Sequence, residues 1–118
     1  MEIIARVLYG LPMLVFGVFH FLGAADMAGM VPAYMPGGAE LWVYLTGVAL
    51  IAAAISIMVG IPRYLSRIAC ILLAVMLLGF AFMLHLPAVM GGDQAAMPML
   101  LKDLGLAGGA IALAVIFD

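Results

Sequence analysis

Charge is what this sequence has least of. Four basic and six acidic side chains among 118 residues make 8% charged, with a formal net charge of −2. So small and balanced a set supplies no basic field for a nucleic-acid backbone, which excludes that class of partner. Soluble chains carry about a quarter charged residues and slightly under half apolar ones. Here 69% are hydrophobic and the mean hydropathy is +1.39. A water-soluble fold of this composition would expose large apolar patches and precipitate. Cysteine is nearly absent as well: Cys70 stands alone, which excludes intrachain disulfides, thiol relays and cysteine-based zinc sites. Its place in an apolar run reads as a small buried hydrophobe. No nucleotide-binding loop and no nucleophile–base pair stands out. What remains is an all-α integral membrane protein, a single domain over residues 1–118.

The gaps between charges mark the spans. Val7 to Ala25, Leu41 to Pro62 and Ile68 to Gly92 are runs of 19, 22 and 25 residues without Asp, Glu, Lys or Arg. Each can cross a hydrocarbon core of roughly 30 Å, which needs about 20 residues. The last run, Leu104 to Phe117, has 14 residues. It reaches across only if its helix starts near Pro98, which places Lys102 and Asp103 in the membrane's outer layer. A signal peptide explains the first run poorly, because Glu2 spoils the basic start and the apolar stretch is too long. Four transmembrane helices in an up-down-up-down bundle are expected. Arg6, Arg63 and Arg67 on one side against Lys102 on the other put both termini in the cytoplasm. The Asp26–Ala39 and Ala88–Met97 connections then face outward, and Pro62 sets a sharp turn between antiparallel neighbours.

The outward end holds the chemistry. His20 ends the first helix and His85 the third, at similar depth. Each continues a stripe of mostly small residues: Gly10, Met13, Gly17, His20 and Ala24 on one helix, Ala74, Leu78, Ala81, His85 and Ala88 on the other. Such stripes mark protein-facing sides in membranes, so both imidazoles are expected to point into the bundle and towards each other. Asp103 shares its stripe with Ala107, Ala110 and Ala114 and points inward too, while Lys102, about 100° round, snorkels to the interface. Ionisable groups at this depth usually mark a site; the competing readings are a hydrated aspartate at a helix start and core imidazoles bonded to neighbours. Glu40 opens the second helix, where the macrodipole favours a carboxylate. Trp42 and Tyr44 suit the interfacial aromatic belt. Tyr34, between Pro32 and Pro36, covers the site or anchors its loop in the headgroups. Six of the eleven methionines, including Met27, Met30 and Met35, fall in or beside the outer loops. They read as flexible apolar filler, or as thioethers for Cu(I). Gly105 and Gly109 form a small-xxx-small spacing that allows close helix approach within the bundle or in a homo-oligomer.

The stretch Gly17-Val18-Phe19-His20-Phe21, then Met30-Val31-Pro32-Ala33-Tyr34-Met35-Pro36, then Trp42 to Gly47, resembles DoxX-like membrane proteins. Arg6 matches that family's early arginine. The resemblance implies a small four-helix inner-membrane protein, with His20, Pro32 and Pro36 as the positions carried over. It further implies a link to a membrane thiosulfate:quinone oxidoreductase, or to oxidoreductase complexes more widely, while a distant branch acts as membrane chaperones. Three functions stay open. One is a quinone-linked subunit serving a membrane or periplasmic redox partner, with His20, His85 and Asp103 as hydrogen-bond donors and proton relay, and Tyr34, Trp42 and Glu40 completing the cofactor site. In a variant of it, His20 and His85 are the axial ligands of a haem b. The second is a non-enzymatic assembly factor without cofactor. The third, a transporter, lacks a visible helix break or inverted repeat.

Overall fold

A computed structural model describes residues 1–118 as an all-α protein. Four helices are long and apolar enough to cross a membrane: α1 (Glu2–Leu22), α2 (Ala39–Val59), α3 (Arg63–Met90) and α4 (Ala96–Ile116). They begin earlier than the charge gaps suggest, because Glu2, Arg6, Arg63 and Arg67 are absorbed into the first two turns and paired there. α4 starts at Ala96, and Pro98 lies in its first turn, where a missing N–H costs no helical bond. Large apolar side chains such as Leu8, Leu72 and Val75 project outward, 70, 62 and 63% exposed. That is the surface a bilayer would cover, and the interior is correspondingly rich in alanine: Ala54, Ala81 and Ala110 are fully buried, with Cys70 among them.

Helix α1 packs mainly on α2, and α3 mainly on α4. The first pairing depends on glycine. A Cβ on Gly17 would meet the Gly47 carbonyl oxygen at 3.0 Å, and one on Gly47 would meet the Gly17 carbonyl at 3.1 Å, so the backbones touch where neither residue has a side chain. On α1, Gly10, Met13 and Gly17 are buried as the stripe requires, and on α4 Asp103, Ala107, Ala110 and Ala114 all are. Of the expected spacing Gly105 and Gly109, only Gly109 meets a neighbour, the Tyr9 ring, and Gly105 faces open space.

Both termini lie at one end, tied by charge. Arg6 donates from Nε to the Ile57 carbonyl (3.1 Å) and from Nη2 to those of Met58 (2.8 Å) and Val59 (3.2 Å), capping the C-terminal end of α2. Its Nη1 pairs with Glu2, which also pairs with Arg63. Arg63 donates to the Ile116 carbonyl, Arg67 pairs with Asp118, and the Phe117 ring lies between the Arg6 and Arg63 guanidiniums, 5.8 and 5.3 Å from its centroid. The α2–α3 turn carries a cis Ile61–Pro62 bond and a buried Ser66 whose hydroxyl donates to the Ser56 carbonyl.

The third helix departs from regular α geometry. Residues Ala81–His85 form a π-helical turn that ends two residues before Pro87. Proline has no N–H and its ring crowds the carbonyl four residues back, here Met83, so a wider turn relieves the crowding. One turn earlier, Leu77 is buried, whereas Leu78, expected in the stripe, is only half-buried.

Candidate functional site

At the end away from the termini the two helix pairs separate around a cavity of about 550 Å³. All four helices contribute to its wall, and the α1–α2 connection covers it. That connection folds as two short helical turns, Ala24–Met27 and Ala28–Met30, followed by turns through Gly38, which with Gly37 adopts positive φ (92° and 88°). Pro36 is held by Trp42, whose indole N–H donates to the Pro36 carbonyl at 2.6 Å. Thus Pro32, Val31 and three methionines, Met27, Met30 and Met35, become the roof. The methionines are unbranched and polarisable, suited to an irregular apolar surface that adapts to what it meets.

The polar groups are few. His85 ends the π turn of α3 and Asp103 lies two turns into α4, the helix that packs on it. Their Nε2 and Oδ2 are 3.0 Å apart, and the residues are 7 and 4% exposed. With N–H on Nε2 donating to the carboxylate, Nδ1 of the same ring is left as an acceptor. His20 is half-buried and lines the same cavity from α1. Its Nδ1 donates to the Phe16 carbonyl at 2.6 Å, one turn back on α1, which leaves Nε2 as the acceptor. Gly47 makes room for it, since a Cβ there would press on the His20 Cβ at 3.0 Å. The two imidazoles therefore share a cavity, while each is bonded elsewhere: His85 to Asp103, His20 to its own helix. No three His, Cys, Asp or Glu side chains converge as a metal-holding group.

The remaining expected residues separate. Trp42 lines the cavity, whereas Tyr34 and Glu40 do not. Tyr34 is 72% exposed, and Glu40 is an exposed residue in the first turn of α2. Lys102 differs from expectation in the other direction. It is exposed, yet it lines the cavity, with its ammonium 5.4 Å from the Phe16 centroid across the α1–α4 seam. A sequence read one helix at a time has no signal for that pairing. The π turn has one, the proline two residues after His85.

A family model matches residues 9–115, a span that includes every residue of this cavity. The chain belongs to that family, described as a domain of unknown function, DUF8561. No curated protein and no solved structure matches it.

Proposed function

We propose that this protein binds a quinone in the cavity between its helix pairs and serves as the membrane subunit of an oxidoreductase complex, in the manner the DoxX-like resemblance implies. One observation carries the reading: an almost entirely apolar chamber has a buried imidazole–carboxylate pair set into its wall. Its volume falls within the roughly 300–1,000 Å³ usual for small-molecule sites, and apolar lining with a few fixed polar groups is their usual character. A bound quinone would supply two-electron, two-proton chemistry. His85 and Asp103 hold a proton between Nε2 and Oδ2 at the cavity wall, which fits a relay. Lys102 adds a cation at the rim, and Met30, Val31 and Phe80 contribute apolar lining to the same cavity. His20 supplies an acceptor nitrogen on the opposite pair of helices.

The geometry favours a quinone over a haem b, because the His85 Nε2 already faces Asp103. Electrons must come from a partner, since the chain has no redox group apart from Cys70, which is buried at the core. The clustering of Arg6, Arg63 and Arg67 at the terminal end supports an inner-membrane orientation with cytoplasmic termini and an outward-facing cavity.

Trp42 is the single tryptophan and lines the cavity, so it reports directly on occupancy. Decylubiquinone added to the protein in nanodiscs should quench its fluorescence saturably, and His85→Leu should weaken that by about tenfold or more, or 1.4 kcal/mol. Solvent extraction of the purified protein should return a quinone. Unsaturable quenching, identical in His85→Leu, together with an extract holding only lipid, would overturn the proposal in favour of an assembly factor.

A further inference from the structure

Three of the four seams between neighbouring helices are bridged by a connection at one end: α1–α2 through the roof, α2–α3 through the Ile61–Pro62 turn, α3–α4 through residues 91–95. The α1–α4 seam has none. Near the terminal end it is fastened by Tyr9, whose hydroxyl donates to the Leu106 carbonyl and whose ring lies against Gly109. Farther out, Met13 and Phe16 of α1 and Leu106 of α4 border the cavity, and Lys102 reaches over the Phe16 ring. The roof segment Ala24–Met30 packs on α1 and α2 rather than on α4.

We infer that the cavity takes its ligand sideways from the bilayer, through the outer part of the α1–α4 seam, with Lys102 over Phe16 as the closure. The ligand class follows: molecules dissolved in the membrane rather than in water. The closure is a contact suited to opening. Lys102 is exposed and its bond to the ring is a cation–π attraction, so the side chain swings into the headgroup layer without orphaning a buried donor or acceptor. Phe16, the other half of the closure, is only half-buried. The inference rests on the cavity as the ligand site, as the quinone reading does, but not on the ligand being a quinone.

The test is a tether across the seam. In a Cys70→Ala background, Phe16→Cys and Lys102→Cys are joined by a short bifunctional maleimide, and Trp42 quenching is followed by stopped flow before and after joining. Two probes are used: decylubiquinone, and 10-doxylnonadecane, a spin-labelled alkane without quinone chemistry. Joining should slow quenching by both probes at least tenfold. If only the alkane quenches and the tether blocks it, the portal stands and the quinone reading falls. Unchanged rates for both probes after joining would place access elsewhere and overturn the portal alone. It is overturned equally if the two cysteines fail to join, or if neither probe reaches Trp42.

Discussion

His85 and Asp103 face each other across the α3–α4 interface, with Nε2 3.0 Å from Oδ2 and scarcely any exposure at either residue. A π turn in α3 and the alanine stripe of α4 bring them together: one sets the rotation of the imidazole, and the other lets the helices close enough for the bond. Buried pairs of this kind are costly to halve, because the survivor is left polar and unpartnered.

His85→Leu and Asp103→Leu should therefore each destabilise the fold, by about 3–5 kcal/mol at the upper end for a buried pair. The double variant should recover some of that loss, with a coupling of about 0.5–3 kcal/mol. Unfolding by SDS in bicelles, followed by circular dichroism, measures all four corners of the cycle. A double variant that regains stability and still does not bind decylubiquinone separates the pair's place in the site from its place in the fold. Strictly additive losses would mean that the two residues do not interact.

The glycines divide into two groups with opposite expected behaviour. Gly17→Ala and Gly47→Ala force a Cβ onto a backbone carbonyl at 3.0–3.1 Å and should cost about 1–3 kcal/mol as overpacking. Gly105→Ala and Gly108→Ala add their methyl to open space, and should be neutral or stabilising by up to about 1 kcal/mol through helix propensity. The same SDS titration checks both. Gly47→Ala should also weaken decylubiquinone quenching of Trp42, since it displaces His20.

At the terminal end, Arg6→Ala should cost more than Glu2→Gln. Removing Arg6 uncaps three carbonyls of α2, an expected loss of about 1–3 kcal/mol. Arg6→Lys should restore only a fraction, because a single ammonium cannot reproduce the fork that meets Ile57, Met58 and Glu2 together. Glu2 and Arg63 form an exposed pair, so the Glu2→Gln effect should be small and fade in high salt. Titrations at low and high salt distinguish the two kinds of contact.

Much of the fold is legible because membrane sequences carry their periodicity in small residues rather than in apolar ones. Asp103, Ala107, Ala110 and Ala114 lie on one buried face as their spacing indicates, and Gly10, Met13 and Gly17 do the same on α1. On α3 the constant period is met at Ala74, Ala81 and His85 but places Leu78 inward where Leu77 is buried. Periodicity also says nothing of which side chain on one helix meets which on another. The direct link between His85 and Asp103, Lys102 over Phe16 and the capping of α2 by Arg6 all fall in that gap. The charges that mark the ends of the spans carry an orientation signal in the sequence, and only the folded chain shows that they also hold those ends together. Tyr34 and Glu40 belong to the cavity's end of the molecule without lining it, a distinction that depends on how the Pro32–Pro36 loop folds back on Trp42.

The knot of Glu2, Arg6, Arg63 and Phe117 gives the molecule a fulcrum. All four helices are pinned there, and each of the 21-residue helices extends about 30 Å from it. Over that lever arm a tilt of about 5° carries a far tip by about 3 Å. That approaches the 3.5–4.0 Å spacing at which carbon atoms touch, so a rotation too small to disturb the pinned end is enough to separate a pair of side chains at the other. Small tilts about that base are thus the geometric means by which the spacing of side chains around the cavity can change.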